Sequence, residues 1–221
     1  MRVKIVILLF AFFVLSCSKS ERNTCKEKGF INQTEICLPN FQGFTNVKSE
    51  QKYSEFIKRF EDVSNCNMLS FFINNSTIDQ SNGDPKYNYI ALYSNSAMKE
   101  NIDKKTFKRT SEQMESFFYK EKEINLALRK LEAEFDQNLQ YDKLILIDNY
   151  FLNKNISTYI LMGKVSQNNK EFITISALNF LHIRDKMVLF DFVLKYDNHE
   201  TINFIKQKND YLVLQILNIN K

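Results

Sequence analysis

From residue 24 onward the apolar positions alternate between a period of two and a period near 3.6, and the switches delimit the elements. Residues 24–48 read as short strands with turns. Gly29-Phe30-Ile31-Asn32-Gln33 is the turn region of a hairpin, Glu35–Leu38 stops at Pro39, and Gly43-Phe44-Thr45-Asn46-Val47 follows. Ser49 is placed to cap a helix whose Tyr53, Phe56, Ile57 and Phe60 fall at i, i+3, i+4 and i+7. Met68–Ile73 and Tyr87–Tyr93 have strand composition, and the segment between them, Asn74–Lys86, is rich in turn residues. The longest periodic stripe runs through Met114, Phe117, Ile124, Leu128, Leu131 and Phe135, which predicts a helix over Thr110–Asn138, amphipathic and lying on a sheet. Four strands follow, Leu144–Tyr150, Ile156–Val165, Glu171–Ile183 and Lys186–Lys195. Gln167-Asn168-Asn169 and Arg184-Asp185 are short enough to join antiparallel neighbours. In the last segment, His199–Leu217, Ile202, Ile205, Leu212, Val213 and Ile216 keep helical spacing.

Helices set against an antiparallel meander predict an α+β sandwich. No internal repeat or low-complexity run divides residues 25–221, which read as one domain. In element order and approximate length, residues 28–217 look like the PsbP/DcrB-like fold, a central antiparallel sheet with helices on both sides. Some bacterial members of that group are small exported lipoproteins. The resemblance implies an architecture and transfers no functional residue.

The amino terminus has a different character. Arg2 and Lys4 precede the unbroken apolar run Ile5–Leu15. Eleven residues make about 16 Å of helix, against a hydrocarbon core of about 30 Å. The run is too short to span a bilayer and has the flanks of a secretory signal, so residues 1–16 read as a cleaved leader. It ends in Val14-Leu15-Ser16-Cys17, which resembles the lipobox of bacterial lipoproteins, with Leu15 standing where the common form has a smaller residue. The resemblance implies cleavage before Cys17, acylation of its sulfur and amino terminus, and residues 17–24 as a polar tether. A single acyl chain holds a protein only marginally, whereas two or three give durable anchoring. By the same resemblance, Ser18 in place of an aspartate points to the outer rather than the inner membrane of a cell that has both. An ordinary secretory signal ending at Ser16 is the alternative.

Composition changes the picture in two respects. The net charge of +4 on 221 residues loses two positive charges with the leader, leaving a near-neutral chain with no basic stripe for a nucleic acid. The 4 glycines are scattered and the 2 histidines lie far apart, so neither a phosphate-cradling loop nor a metal-ligand set is spelled out, and no cofactor is expected.

Export implies an oxidising compartment, where three cysteines beyond Cys17 allow three single pairings. Cys25–Cys37 across the first hairpin is the expected disulfide, with Cys66 a buried thiol. Cys37–Cys66 is the alternative, and a catalytic cysteine ranks behind both because only His182 and His199 supply a base.

Among acids, Asp148 and Asp191 interrupt apolar strands, and a carboxylate in such surroundings has a raised pKa. Across the Arg184-Asp185 turn, register sets Asp191 opposite Leu178. That places it on the order of 14 Å from His182 at about 3.4 Å per residue, which excludes an acid–base dyad. His182 then reads as a strand-end residue and His199 as a helix-start residue. Lys104–Arg109 is a basic run with Phe107 inside it, read as a solvated approach to the helix that follows. Phe41, Phe44, Tyr87, Tyr89 and Phe151 are surplus aromatics that either line a cleft or fill the core.

These features lead to three expectations. The first is a non-enzymatic envelope lipoprotein, held in membrane lipid through Cys17 and serving as an interaction or accessory module for an envelope protein. The second is a binder of a small apolar or amphipathic ligand. The third is an envelope hydrolase using Asp148 or Asp191.

Overall fold

A computed structural model describes residues 25–96, 100–120, 139–167 and 170–221. The leader, Cys17 and the tether lie outside these residues, as does the stretch 121–138 of the long predicted helix. The chain runs through β1 (Glu27–Ile31), β2 (Thr34–Leu38), β3 (Phe44–Asn46), a short 3-10 turn at Gln51–Tyr53 and α1 (Ser54–Ser64). It continues through β4 (Cys66–Asn74), β5 (Tyr89–Asn95) and α2 (Lys104–Phe118). The last part is β6 (Leu139–Asn153), β7 (Ile156–Gln167), β8 (Lys170–Ile183), β9 (Lys186–Lys195) and α3 (Glu200–Ile219).

Seven strands form one antiparallel sheet in the order β3-β4-β5-β9-β8-β7-β6, and β1 pairs with β2 in a separate hairpin. The meander from β6 returns across the sheet until β9 docks beside β5, so β9 sits at its centre. Alternation along β9 sorts the two faces. Val188, Phe190, Phe192 and Leu194 join Ile205, Leu212, Val213 and Ile216 of α3 and Ile31, Ile36 and Leu38 of the hairpin in the larger core. Met187 and Leu189 face the other way, where Phe107 and Phe118 of α2 complete a second cluster. On that same face Phe56 and Ile57 of α1 pack on Met68, Phe71 and Ala91. The result is an α+β sandwich, with α3 and the hairpin on one face and α1 and α2 on the other.

Several local expectations are corrected. Ser49 caps nothing: the 3-10 turn intervenes and α1 begins at Ser54 with no side-chain cap. The hairpin turn is only Asn32-Gln33, with Asn32 at φ 53, while Gly29–Ile31 belong to β1. A side chain at Gly29 would press on Leu69, whose Cβ is 3.1 Å from the position of an added Cβ, so this strand needs glycine for close approach. Helix α2 starts at Lys104, earlier than the stripe suggests, because Asp103 caps it by accepting from the Thr106 N–H at 2.7 Å. It ends at Phe118, with Tyr119 as its C-cap, which interrupts the predicted helix there, and residues 121–138 of that prediction lie outside the described residues. The basic run Lys104–Arg109 is therefore the first turns of the helix itself, with Phe107 wholly buried beneath it. The strands from Ile156 to Lys195, the Arg184-Asp185 turn and the C-terminal helix lie close to where the pattern sets them, while residues 168–169 of the other turn lie outside the described residues.

Candidate functional site

Between Met187 and Val193, Asp191 is the one polar side chain that β9 sends into the face covered by α1 and α2. Its strand neighbours are Ala91 on β5 and Leu178 on β8, as the register across Arg184-Asp185 requires. Neither neighbour offers a hydrogen bond, and Oδ1 is buried without a partner. Burial disfavours the carboxylate and pushes its pKa up to about 7.

Two further ionisable groups lie close by. Tyr93 is held well above its ordinary value by burial first, then by the charges of Asp191 and Cys66. The Cys66 thiol is pushed up to about 12 by burial and by Glu61, whose Oε1 accepts from the Met68 N–H at 2.7 Å. Phe60 of α1 packs edge-on against Tyr93 with ring centroids 5.3 Å apart. The tyrosine and the thiol therefore stay protonated at neutral pH, and Asp191 alone among the three titrates there. A general acid is chemically feasible at this carboxyl, but neither of those neighbours supplies a complementary base.

The other candidate acid is built differently. Asp148 receives Lys206 Nζ from α3 at 2.6 Å, and its Oδ1 accepts the Asn149 N–H at 2.9 Å. Beside it the Tyr150 hydroxyl donates to Asp210 at 2.8 Å, and Lys206 lies over the Tyr150 ring at 5.4 Å. This half-exposed row fastens the outer strand β6 to α3. The structure does not bring Asp148 and Asp191 together: the bulge between Leu146 and Asp148 turns Asp148 toward α3, on the opposite face of the sheet from Asp191.

His182 is 6% exposed and donates from Nε2 to the Ile102 carbonyl at 2.8 Å, which ties β8 to the approach to α2. His199 is the residue before α3. The surplus aromatics do not form a cleft. Phe41 and Phe44 are core residues stacked against Phe72, Phe190 and Phe192, Tyr89 is on the opposite face against Phe56 and Phe71, and Phe151 is exposed on β6. An open depression of about 400 Å³ does lie where β9 meets α3, lined by Leu194, Lys195, Asp197, Glu200 and Phe204.

The cysteines frame the amino terminus. Cys25 and Cys37 are joined by a disulfide, with Cα atoms 5.3 Å apart, and Cys66 is free and buried. The Asn220 side chain closes on Cys37 from the end of α3: its Oδ1 accepts the Cys37 N–H at 2.8 Å, and its Nδ2 donates to the Cys37 carbonyl at 2.9 Å.

One polar constellation escapes sequence reading. Asn179 on β8 and Asn209 on α3 are fully buried and exchange hydrogen bonds of 2.7 and 3.0 Å. Asn179 also accepts from Thr158 and donates to the Ala177 and Phe190 carbonyls. Its signal was present, because Asn179 alternates with Ala177 and Leu181, and Asn209 falls four residues after Ile205 on the buried stripe. A saturated amide pair of this kind sets the helix register on the sheet.

No family model, curated protein or solved structure matches this chain.

Proposed function

We propose that this protein is an exported lipoprotein of the bacterial cell envelope, anchored through Cys17. Residues 25–221 form its one domain and serve as a non-enzymatic interaction or accessory module. The single observation that carries the reading is the Cys25–Cys37 disulfide. A cross-link of this kind belongs to an oxidising compartment. It lies at the first described residue of the domain, where a tether from Cys17 enters. Element order further supports placing the sandwich among the PsbP/DcrB-like folds, and Ser18 supports the outer membrane as destination. Among the described residues no helix is long and apolar enough to cross a membrane. The proposed attachment is by acyl chains.

Growing cells labelled with a clickable palmitate provide the test. Wild type is expected to carry label and Cys17→Ala to lose it, while equal labelling of the two, or none on either, refutes the anchor. The depression beside Phe204 favours a second reading, a binder of a small amphipathic ligand. That reading predicts an extra mass on the purified domain in native mass spectrometry, reduced in Phe204→Ala, and a clean apo mass refutes it.

A further inference from the structure

Cys25, the first described residue, lies on one side of the domain, and that side carries an apolar surface. In the β1–β2 hairpin, Gly29, Ile31, Ile36 and Leu38 point inward to the sheet. The register pairs Lys28 with Cys37 and Phe30 with Glu35, so these four side chains belong to the opposite, outward face. The disulfide partner of Cys37 is Cys25, so Cys25 lies on that outward face, beside the C-terminal end of α3, where Asn220 holds Cys37.

The same layer displays Phe30, which is 54% exposed, together with Phe204 and Tyr211, each 55% exposed, and Leu214 at 37% on the outer side of α3. Positions 204, 211 and 214 recur at seven and three residues, one stripe along a helix. The Lys208 ammonium lies over the Tyr211 ring, 5.5 Å from its centroid, so a cation and an exposed aromatic share this side of the helix. Exposed lysines at 26 and 28 border Phe30.

We infer that this outward face, formed by Phe30, Tyr211, Leu214 and Phe204, rests on the lipid surface into which Cys17 is anchored. The inference rests on the proposed anchor. Eight residue steps separate Cys17 from Cys25, a reach of at most about 29 Å for a fully extended chain. Tyr211 lies about 14 Å along α3 from Asn220, within that reach. The outer surface of α1 and α2 lies two layers away, at about 10 Å for each, and the tether would have to round the sheet edge to present it. The occupant that chain length and entry point select is therefore the bilayer, and the mix of exposed aromatics and lysines suits its interface.

The chain contains no tryptophan, so single substitutions report without background. Residues 17–221 bearing Phe30→Trp, Tyr211→Trp or, as a control on the opposite face, Tyr119→Trp would be coupled through Cys17 to a maleimide phospholipid. The carrier is a phosphatidylcholine vesicle containing brominated lipid. Emission at 30 and 211 is expected to fall about twofold relative to unbrominated vesicles, since an interfacial apolar face sits roughly 5–10 Å into the headgroup region. Emission at 119 stays unchanged. Equal quenching at all three positions, or none at 30 and 211, overturns the inference. So does a blue shift at 211 that grows with protein concentration without vesicles, which would put a second copy on this face. Because the lipid is attached chemically, these outcomes bear on the docking face alone. Loss of the anchor reading shows separately, as missing palmitate at Cys17 in cells.

Discussion

Replacing Asp191 with asparagine removes a titration and keeps the side-chain shape, and its effect on stability should depend on pH in a definite direction. In the folded chain the carboxyl titrates at about 7, against an ordinary value of 3.8, because burial disfavours its charge. Below about pH 3 it is protonated in both the folded and the unfolded chain and contributes no pH-dependent term. Between pH 4 and 7 the unfolded chain loses the proton while the folded chain keeps it, so stability falls with each step. Above 7 the penalty is complete and constant. A shift of about three pKa units corresponds to about 4 kcal/mol, an upper bound because the side chain retains some solvent contact. Asp191→Asn carries no such penalty, and any fixed cost of burying the amide is the same at every pH. About 1 kcal/mol of the penalty is already present at pH 4.5, so the gain of the variant over wild type should be larger at pH 8 than at pH 4.5 by up to about 3 kcal/mol. With a urea dependence of about 1–3 kcal/mol per molar, the difference is of the order of 1–3 M in the unfolding midpoint. Urea titrations of both proteins at the two pH values, followed by circular dichroism, measure it. An equal midpoint difference at pH 4.5 and 8 would refute the assignment of a desolvated carboxyl at this position.

Three further outcomes follow from the contacts. Cys25→Ser should cost about 3 kcal/mol, the loop-closure value for a 12-residue separation, and reduction of wild type should reproduce that loss in the same urea titration. If reduced and oxidised protein unfold at one midpoint, the cross-link does not constrain the chain. Asn220→Ala leaves both buried backbone groups of Cys37 without partners and should destabilise by about 2–3 kcal/mol, read as a fall in thermal midpoint, while Asn218→Ala, on the exposed side of the same turn, should change little. Cys66, held up to about 12 and buried, should stay silent to Ellman's reagent at pH 8 in the folded Cys17→Ser chain and react on unfolding. Rapid reaction in the native state would show that this part of the face opens.

What the sequence makes legible is set by how local the cause is. The meander from Ile156 to Lys195 reads correctly because period-two alternation and the two-residue Arg184-Asp185 turn fix register without help from distant chain. That register placed Asp191 opposite Leu178, so the separation of the acid from His182 was legible too. The start of α2 was missed because Asp103, a strong cap, lies before a run of lysines that read as surface, and the burial of Phe107 is decided by β8 and β9 rather than by its neighbours. The absence of an aromatic cleft has the same origin: whether Phe41 and Tyr89 share a face depends on strand order, which β9 sets by inserting beside β5 after the chain has crossed the whole sheet. Asn179 and Asn209 are thirty residues apart and become one unit only when α3 lies across β8.

Two polar positions at the centre of the sheet, the buried Asn179 and the partly buried Asp191, then make a physical contrast. Asn179 and Asp191 lie on adjacent strands of one sheet and point to opposite faces. On the α3 side the amide finds partners for each of its atoms, so it fixes geometry at little net cost. On the α1 and α2 side the carboxyl finds none for Oδ1 and, at neutral pH, works against a stability that is typically only about 5–15 kcal/mol. Tyr93 and Cys66, its ionisable neighbours, stay neutral and cannot offset its charge. Any ligand or partner that offers this carboxyl a donor would recover part of that penalty, and would do so more strongly as pH rises through 7. The envelope hydrolase reading needs more than this, namely a base within hydrogen-bond reach of a reacting proton. Turnover lost in Asp191→Asn, with the fold retained, would restore that reading. A turnover that survives the substitution removes Asp191 from the chemistry and leaves it as a carboxyl that biases stability with pH.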